Sequence, residues 1–376
     1  MEFFTYQKNK ILRFSYKTFL KPIFFKNDPE TVHDRMKDVG VLLGRIKIGR
    51  VLTKFFFDYQ NPVLEQDVLG IHFKNPIGLS AGFDKNVELT DILPNVGFGF
   101  AEVGSITGEY CKGNPKPRLW RLPKSKSLVV YYGLKNDGCE KISERLKKKL
   151  KGKNFSIPIG MSVAMTNCKE NMDTEKAVLD YAKAFKTMES LGSYVTVNIS
   201  CPNTSGGQPF VNPQKLDILF NTLDKIETKK PVFIKLSPDM SKDELDRLLE
   251  VAKGHRIHGI ICTNLTKKRD NSKILDEEVP EKGGISGKVA EELSDNMLSY
   301  IYKKEGKRFV LVGCGGVFTR EDAYRKIKMG ASLVQMITGM IFEGPQVISE
   351  INQGLVELLK KDGYKHISEA IGRDIC

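Results

Sequence analysis

Residues 194–236 read YVTVNISCPNTSGGQPFVNPQKLDILFNTLDKIETKKPVFIKL. Tyr194–Ile199 is a short β-rich run. A turn carrying Cys201, Pro202, Asn203 and Thr204 follows it. Pro213–Ile226 then spaces its apolar residues as a helix does, and Val232–Leu236 is a second β-rich run. The same unit recurs on both sides. Further strands are predicted at Ile77–Ser80, Phe100–Gly104, Ile157–Val163, Gly259–Thr263, Phe309–Gly313 and Ser332–Ile337. Amphipathic stretches lie between them at Asn86–Asn95, Glu140–Lys151, Thr174–Leu191, Lys242–Ala252, Lys288–Tyr302 and Arg320–Met329. Eight strands alternating with helices over about 300 residues predict an α/β chain folded as a (β/α)8 TIM barrel. A doubly wound sheet is the alternative, but its glycine fingerprint is missing after the first strand. Val63–Leu69 and Ile71–Phe73, around Gly70, predict a small hairpin.

Residues 1–60 have a different texture. Phe14–Leu20, Ile23–Phe25 and Val39–Ile46 show helical spacing of apolar and basic residues, and Asp28 can cap a helix beginning at Pro29. Two or three short helices with an apolar face and a basic rim are expected, ahead of a barrel over 61–376. They could simply pack on the barrel, or the same face could also touch a bilayer or admit a lipid-like molecule.

Composition narrows the classes. The 376 residues are 40% hydrophobic and 28% charged, enough to bury a core. No run approaches the ~18 apolar residues of a membrane span. The net charge is +13, and residues 1–60 hold 12 Lys/Arg against 6 Asp/Glu. Such an excess suits nucleic acid, an anionic membrane surface or anionic small molecules. The basic run Lys147–Lys153 reads as a solvated helix face. Seven cysteines form no CxxC pair, and the five histidines show no metal or triad spacing. A reducing compartment, no metal and no signal peptide are expected. Cys262 and Cys314 read as small core residues, and Cys111, Cys139, Cys168 and Cys376 carry no partner pattern.

In a TIM barrel the site lies at the C-terminal ends of the strands. Those ends here carry Ala81-Gly82-Phe83-Asp84-Lys85, Gly104-Ser105, Asn198 through Thr204, Lys235, Thr263-Asn264, Gly313-Cys314-Gly315-Gly316 and Thr338-Gly339. Gly284-Ile285-Ser286-Gly287 is expected in a loop that opens a helix. The loops after the seventh and eighth strands commonly bind phosphate through backbone N–H groups. With Lys85, Lys235 and the amide-rich loops, they imply a phosphorylated cofactor lying across the barrel mouth. Two strand-end lysines are hard to explain otherwise, since buried lysines are rare.

These residues name a family by resemblance. Asn75–Lys85, Gly99–Thr107, Gly113–Arg118, Asn198–Thr204, Gly283–Gly287 and Ala331–Gln335 resemble segments of dihydroorotate dehydrogenases. The stretch from Leu20 to His33 and the closing Glu369-Ala370-Ile371-Gly372 resemble the membrane-associated, quinone-dependent class 2. The resemblance implies oxidation of dihydroorotate to orotate in pyrimidine synthesis. Ala81, Gly82, Lys85, Ser105, Asn198, Lys235, Thr263, Ser286, Gly287, Gly315, Gly316 and Thr338 would hold FMN. Lys85, Asn198, Asn203 and Asn264 would hold orotate, an anion with imide groups that needs one cation and several amides. Hydride would go to FMN N5, and Lys235 would stabilise the charge arriving with it. Electrons would pass to a quinone entering past residues 1–60, near Arg121. A peripheral position on the cytoplasmic side of a membrane, or in the cytoplasm, is expected, with no nucleic-acid partner.

The sequence departs from that family at defined positions. Cys201 stands where the quinone-dependent class usually has the serine base and the soluble classes have cysteine. Cys201 would accept the C5 proton if its site stabilises thiolate. Val130 and Ser162 replace asparagines, Leu134 a phenylalanine and Leu265 a threonine; Asn136 is near enough in sequence to stand in for a lost amide. An FMN oxidoreductase of the same fold, acting on a related dihydropyrimidine or using a non-quinone acceptor, is the alternative. A nucleic-acid or membrane-surface binding protein would explain only the charge.

Overall fold

The computed structural model describes residues 2–204 and 206–375; Cys376 lies outside them. Four helices come first: α1 (Glu2–Ser15), α2 (Lys21–Lys26), α3 (Pro29–Arg45) and α4 (Lys47–Phe57). The Asp28 carboxylate accepts from Thr31 N–H at 2.8 Å, and Pro29 fills the first turn, so α3 starts at its cap. Strands β1 (Gln66–Val68) and β2 (Ile71–Phe73) form an antiparallel hairpin. β3 (Ile77–Leu79) and β4 (Phe100–Ile106) begin a barrel, which β5 (Leu119–Leu122) and β6 (Ser127–Val130) leave as an antiparallel pair. The chain returns through α5 (Cys139–Leu150), β7 (Ile159–Val163), α6 (Thr174–Met188), β8 (Tyr194–Asn198) and α7 (Pro213–Asp224). It continues with β9 (Val232–Lys235), α8 (Lys242–Lys253) and β10 (Gly259–Cys262). After β11 (Gly284–Gly287) come α9 (Glu291–Glu305), β12 (Val310–Cys314), α10 (Arg320–Lys328), β13 (Ala331–Met336), α11 (Thr338–Glu343) and α12 (Val347–Lys361). Eight parallel strands close in the order β10–β12–β13–β3–β4–β7–β8–β9. This is the expected (β/α)8 barrel with an N-terminal helical segment.

Two local expectations fail. Asn86–Asn95 is no amphipathic helix but a chain of turns, with a single helical turn at Leu93–Asn95. The wholly buried Asp84 carboxylate accepts from Glu88 and Leu89 N–H at 2.8 and 2.9 Å, and Val87 adopts φ 60, so the segment coils around a side chain instead. Gly284–Gly287 is a strand, not a helix-opening loop. Its partner β6 lies about 150 residues earlier, and together with β5 they roof the C-terminal mouth of the barrel.

The barrel interior changes character along its axis. At the N-terminal end Phe73, Phe100, Tyr194, Phe233, Ile261, Val312 and Leu333 form a closed apolar plug. Phe73 of the hairpin meets Phe100 edge to face at 5.4 Å. The plug needs a small residue opposite Tyr194: a Cβ on Gly160 would lie 2.2 Å from the tyrosine ring. Above the plug sit the buried polar side chains of Glu102, Thr196 and Gln335, and beyond them Ser105, Ser162, Asn198 and Lys235. A polar ligand can therefore enter only from the C-terminal mouth.

The N-terminal helices are anchored beside that mouth. Glu30 of α3 and Arg118 are both almost completely buried, and the guanidinium donates to both carboxylate oxygens, at 2.8–3.3 Å. α1 is tied to α12 through Arg13 with Glu350 and through Asn9 with Ser349. Removing one partner of a buried ion pair leaves the other charge uncompensated. Glu30→Ala should therefore lower unfolding free energy by about 3 kcal/mol, measured by urea denaturation. An unchanged urea midpoint would mean that α3 is held by its apolar contacts alone.

Candidate active site

The site is built from strand ends, each fixed by a local hydrogen bond. Beyond β3, the turn around Asp84 aims Lys85 inward. The Lys85 ammonium lies 3.4 Å from His33 Nε2 and 4.0 Å above the Tyr132 ring. Burial brings its pKa down to about 8. Burial, with Lys85 close by, pushes His33 down to about 2. His33 is therefore a neutral imidazole that accepts from the lysine.

On the barrel floor, Asn198 donates to Ser105 Oγ at 2.8 Å, and Ser105 pairs with Ser162 at 2.8 Å. Asn198 Oδ1 accepts from Ser200 N–H at 3.2 Å and from the Asn264 amide at 3.3 Å. Asn264 also donates to the Ser200 carbonyl at 3.0 Å, so the two amides hold each other rigid. Lys235 is 4% exposed and donates to Ser80 Oγ at 3.0 Å. Cys201 projects from the loop after β8. Burial raises its thiol to about 11, against a weaker pull from the Asn203 backbone N–H and Lys267. Asn203 donates to the Val130 carbonyl at 2.9 Å, while its Oδ1 has no partner.

These groups line one cleft with two ends. The wider end holds Lys85, Ser105, Asn198, Cys201 and Asn203, roofed by Val130, Tyr132 and Leu134. The narrower end holds Thr263, Gly287, Gly315, Gly316 and Cys314. Ala81, Lys235, Asn264, Ser286 and Thr338 border both, and Ser286 and Thr338 share a hydroxyl hydrogen bond of 2.8 Å. Gly82 sits on the wider end, where a Cβ would meet nothing within 4 Å.

Every residue singled out from the sequence for cofactor, substrate or catalysis lies on this cleft except Asn136. Asn136 is 2% exposed and spends its amide tying its own turn to Thr107 at the end of β4. It donates to Thr107 Oγ1 at 2.7 Å and the Leu134 carbonyl at 2.8 Å, and accepts from Gly138 N–H at 2.8 Å. It braces the turn and replaces no lost amide. Cys314 is only half-buried: it packs against the apolar plug and also borders the narrow end, 3.4 Å from Ser80 Oγ. Cys262 is fully buried.

Three polar residues lining the wide end carry no site role in the sequence analysis: His33, Tyr132 and Lys135. His33 was set aside with the other histidines for lack of a metal or triad pattern. Its signal was the face it shares with Glu30 and Lys37 on α3, at helical spacing. Tyr132 and Lys135 lie in an irregular roof with no periodicity to read. Of the family departures, Val130, Leu134 and Leu265 present apolar groups to the cleft, and Ser162 is fully buried beneath Ser105.

Comparison with known proteins gives the same frame. A family model described as dihydroorotate dehydrogenase matches residues 63–359. A protein from Sulfurovum, named dihydroorotate dehydrogenase (quinone), is 40% identical, covering 96% of this chain and 99% of its own length. One of the same name from Crocosphaera subtropica is 37% identical, covering 93% and 95%. The crystal structure of DHODH from Eimeria tenella in complex with ferulenol superposes with a TM-score of 0.83 at 28% identity, over 92% of this chain and 96% of that one. Sequence and overall fold agree, and the chain belongs to the dihydroorotate dehydrogenase family.

Proposed function

We propose that this chain oxidises dihydroorotate to orotate in pyrimidine synthesis, with FMN in the cleft and a quinone as electron acceptor. One observation carries the proposal: a cation, three fixed amides and a thiol converge on one end of a cleft whose other end is lined by glycines and hydroxyls. The cleft suits a flat, phosphorylated flavin. Gly82 leaves its backbone face open, Lys235 offers a buried ammonium, and Gly315, Gly316, Ser286 and Thr338 form the narrow end. When bound there, FMN supplies the two-electron acceptor for the substrate hydride and relays the electrons to quinone.

The residues of the wide end divide the remaining work. Lys85 pairs with the substrate carboxylate. The unpartnered Asn203 Oδ1 accepts an imide N–H. Asn198 and Asn264, tied to each other, set the plane in which the ring lies. Cys201 takes the C5 proton as thiolate.

The two titrating groups act in opposite directions. A base must be deprotonated, and only ~10⁻⁴ of a thiol with pKa about 11 is thiolate at pH 7. The rate of flavin bleaching by saturating dihydroorotate should therefore rise about tenfold per pH unit from 7 to 10. Cys201→Ala should lower it by roughly 10²–10⁴ and flatten the profile; a pH-independent wild-type rate would remove Cys201 from this role. Lys85 is charged only below about 8. Orotate affinity, followed by the spectral shift of the bound flavin, should hold below pH 8 and weaken above it. Affinity unchanged to pH 10 would remove Lys85 from carboxylate binding.

The acceptor side is built by the first 60 residues, taken as a unit distinct from the FMN-binding barrel of 61–376. Phe14, Phe19, Ile23, Leu42, Ile48 and Phe55 of these helices are exposed, among lysines and arginines. Among the described residues, no helix is long and apolar enough to cross a membrane. The helices instead lie on the cytoplasmic face of a bilayer. From them Leu119, Leu128, Ile337 and Ile341 lead into the cleft as an apolar path for quinone. Arg121 clamps the helix junction there, donating to the Asn27 carbonyl at 2.7 Å and covering the Phe25 ring. Replacing Leu42, Ile48 and Phe55 together by serine should abolish flotation with anionic vesicles and leave flavin reduction by dihydroorotate intact. Undiminished flotation would place the membrane contact elsewhere.

A further inference from the structure

Between the aromatic plug and the cleft lies a small, wholly buried polar cluster that the proposed reaction does not use. Glu102 on β4 and Gln335 on β13 are both fully inaccessible. Glu102 Oε2 accepts from Thr196 Oγ1 at 2.9 Å and from Gln335 Nε2 at 3.1 Å. The remaining oxygen of each residue, Glu102 Oε1 and Gln335 Oε1, has no partner. Two orphaned acceptors in one wholly buried carboxyl–amide pair are costly. A proton on Glu102 Oε1 would turn one of these acceptors into a donor, and Gln335, whose amide already donates to Oε2, carries the other acceptor.

The charges around Glu102 agree with this. From β9 the nearest cation is Lys235, whose ammonium is committed to Ser80 Oγ, and no ion pair reaches Glu102 among the described residues. From β8 come Thr196 and the Tyr194 phenol, and from β13 the neutral Gln335. Burial drives the Glu102 carboxyl upward, and the more distant Lys235 opposes it without forming a contact. Gln335 and Lys235 both border the cleft, so the cluster lies directly beneath its floor.

We infer that Glu102 is a neutral carboxylic acid in the folded enzyme, donating to Gln335 Oε1, and that it thereby leaves Lys235 as an uncompensated cation facing the cofactor. An ionised Glu102 would cancel much of the field that Lys235 directs at the flavin; a protonated one braces β4, β8 and β13 without that cost. Glu102 is thus a positioning residue for the electrostatics of hydride acceptance. The part concerning the flavin rests on the cofactor reading above, whereas the protonation state does not.

Glu102→Gln mimics the neutral acid, with its NH₂ in place of the O–H. Infrared difference spectroscopy between the wild type and Glu102→Gln should show a protonated-carboxyl C=O band, lost in the variant and present from pH 6 to 9. A carboxylate band in its place would overturn the inference, whether or not flavin is bound. In flavin-loaded protein, the two-electron midpoint potential should move by less than the ~30 mV that corresponds to a tenfold change in reduction equilibrium. A rise beyond that would mean that a negative charge had been removed, and would overturn it equally. Protein that purifies without flavin would count against the cofactor reading alone, and the infrared comparison would still decide the proton.

Discussion

A barrel of eight strands has one interior and two ends, and a polar ligand can occupy only an end that apolar side chains leave open. Here the choice is made by Phe73, Phe100, Tyr194 and Phe233, whose rings fill the N-terminal half of the interior. Each aromatic ring buried there contributes a few kcal/mol of transfer free energy, about the worth of a core phenylalanine. That plug also fixes which polar residues can be satisfied. Glu102, Thr196 and Gln335 hydrogen-bond one another and meet the Tyr194 phenol of the plug, and Ser105, Ser162 and Asn198 interlock above them. The cleft is the top of a graded column rather than a depression cut into a surface.

The parts of the fold that follow from local pattern were legible in the sequence. A buried parallel strand is a short apolar run bounded by turn residues, and all eight barrel strands appear close to where such runs occur. What could not be read depends on distant partners. The pairing of Gly284–Gly287 with Ser127–Val130 is invisible to any window, because neither run is periodic and about 150 residues separate them. Asn86–Asn95 misled because its apolar spacing is helical while Asp84 captures the amides that a helix would need. The site divides in the same way. The strand-end rule located Lys85, Asn198, Cys201, Lys235 and Asn264, since barrel topology alone sends those positions to the mouth. Asn136 failed because its amide is taken up by Thr107, Leu134 and Gly138 and does not reach the cleft. His33 was missed because only the packing of α3 across the mouth gives it a place beside Lys85.

That crossing joins the two halves of the proposed chemistry. The same helix carries Glu30, which secures it to Arg118, and His33, which touches the lysine assigned to the substrate. Its outer side belongs to the exposed apolar surface. An exposed apolar surface and the Lys85 end of the cleft are therefore joined within a single helix, with no intervening loop to soften the connection. Because His33 is neutral, it accepts from Lys85 and adds no charge at that end of the cleft.

Charge placement follows one rule throughout the site: cations stay charged where an anion must arrive, and acids are neutralised or saturated where they would interfere. Asp84, fully buried one residue before Lys85, is engaged by two backbone N–H groups instead of by the lysine. Glu30 is absorbed by Arg118, with Lys116 and Lys135 at its edge. Glu102 sits under Lys235 but forms no ion pair with it, and its one complete set of contacts is that of a neutral acid. Had either buried lysine been paired directly with a carboxylate, the Coulomb attraction in a low-dielectric interior would have had to be broken before an anionic substrate or a reduced cofactor could be stabilised. Keeping the acids satisfied by amides, hydroxyls and protons leaves both ammonium groups with neutral partners only, His33 and Ser80, where an arriving negative charge meets no carboxylate competitor.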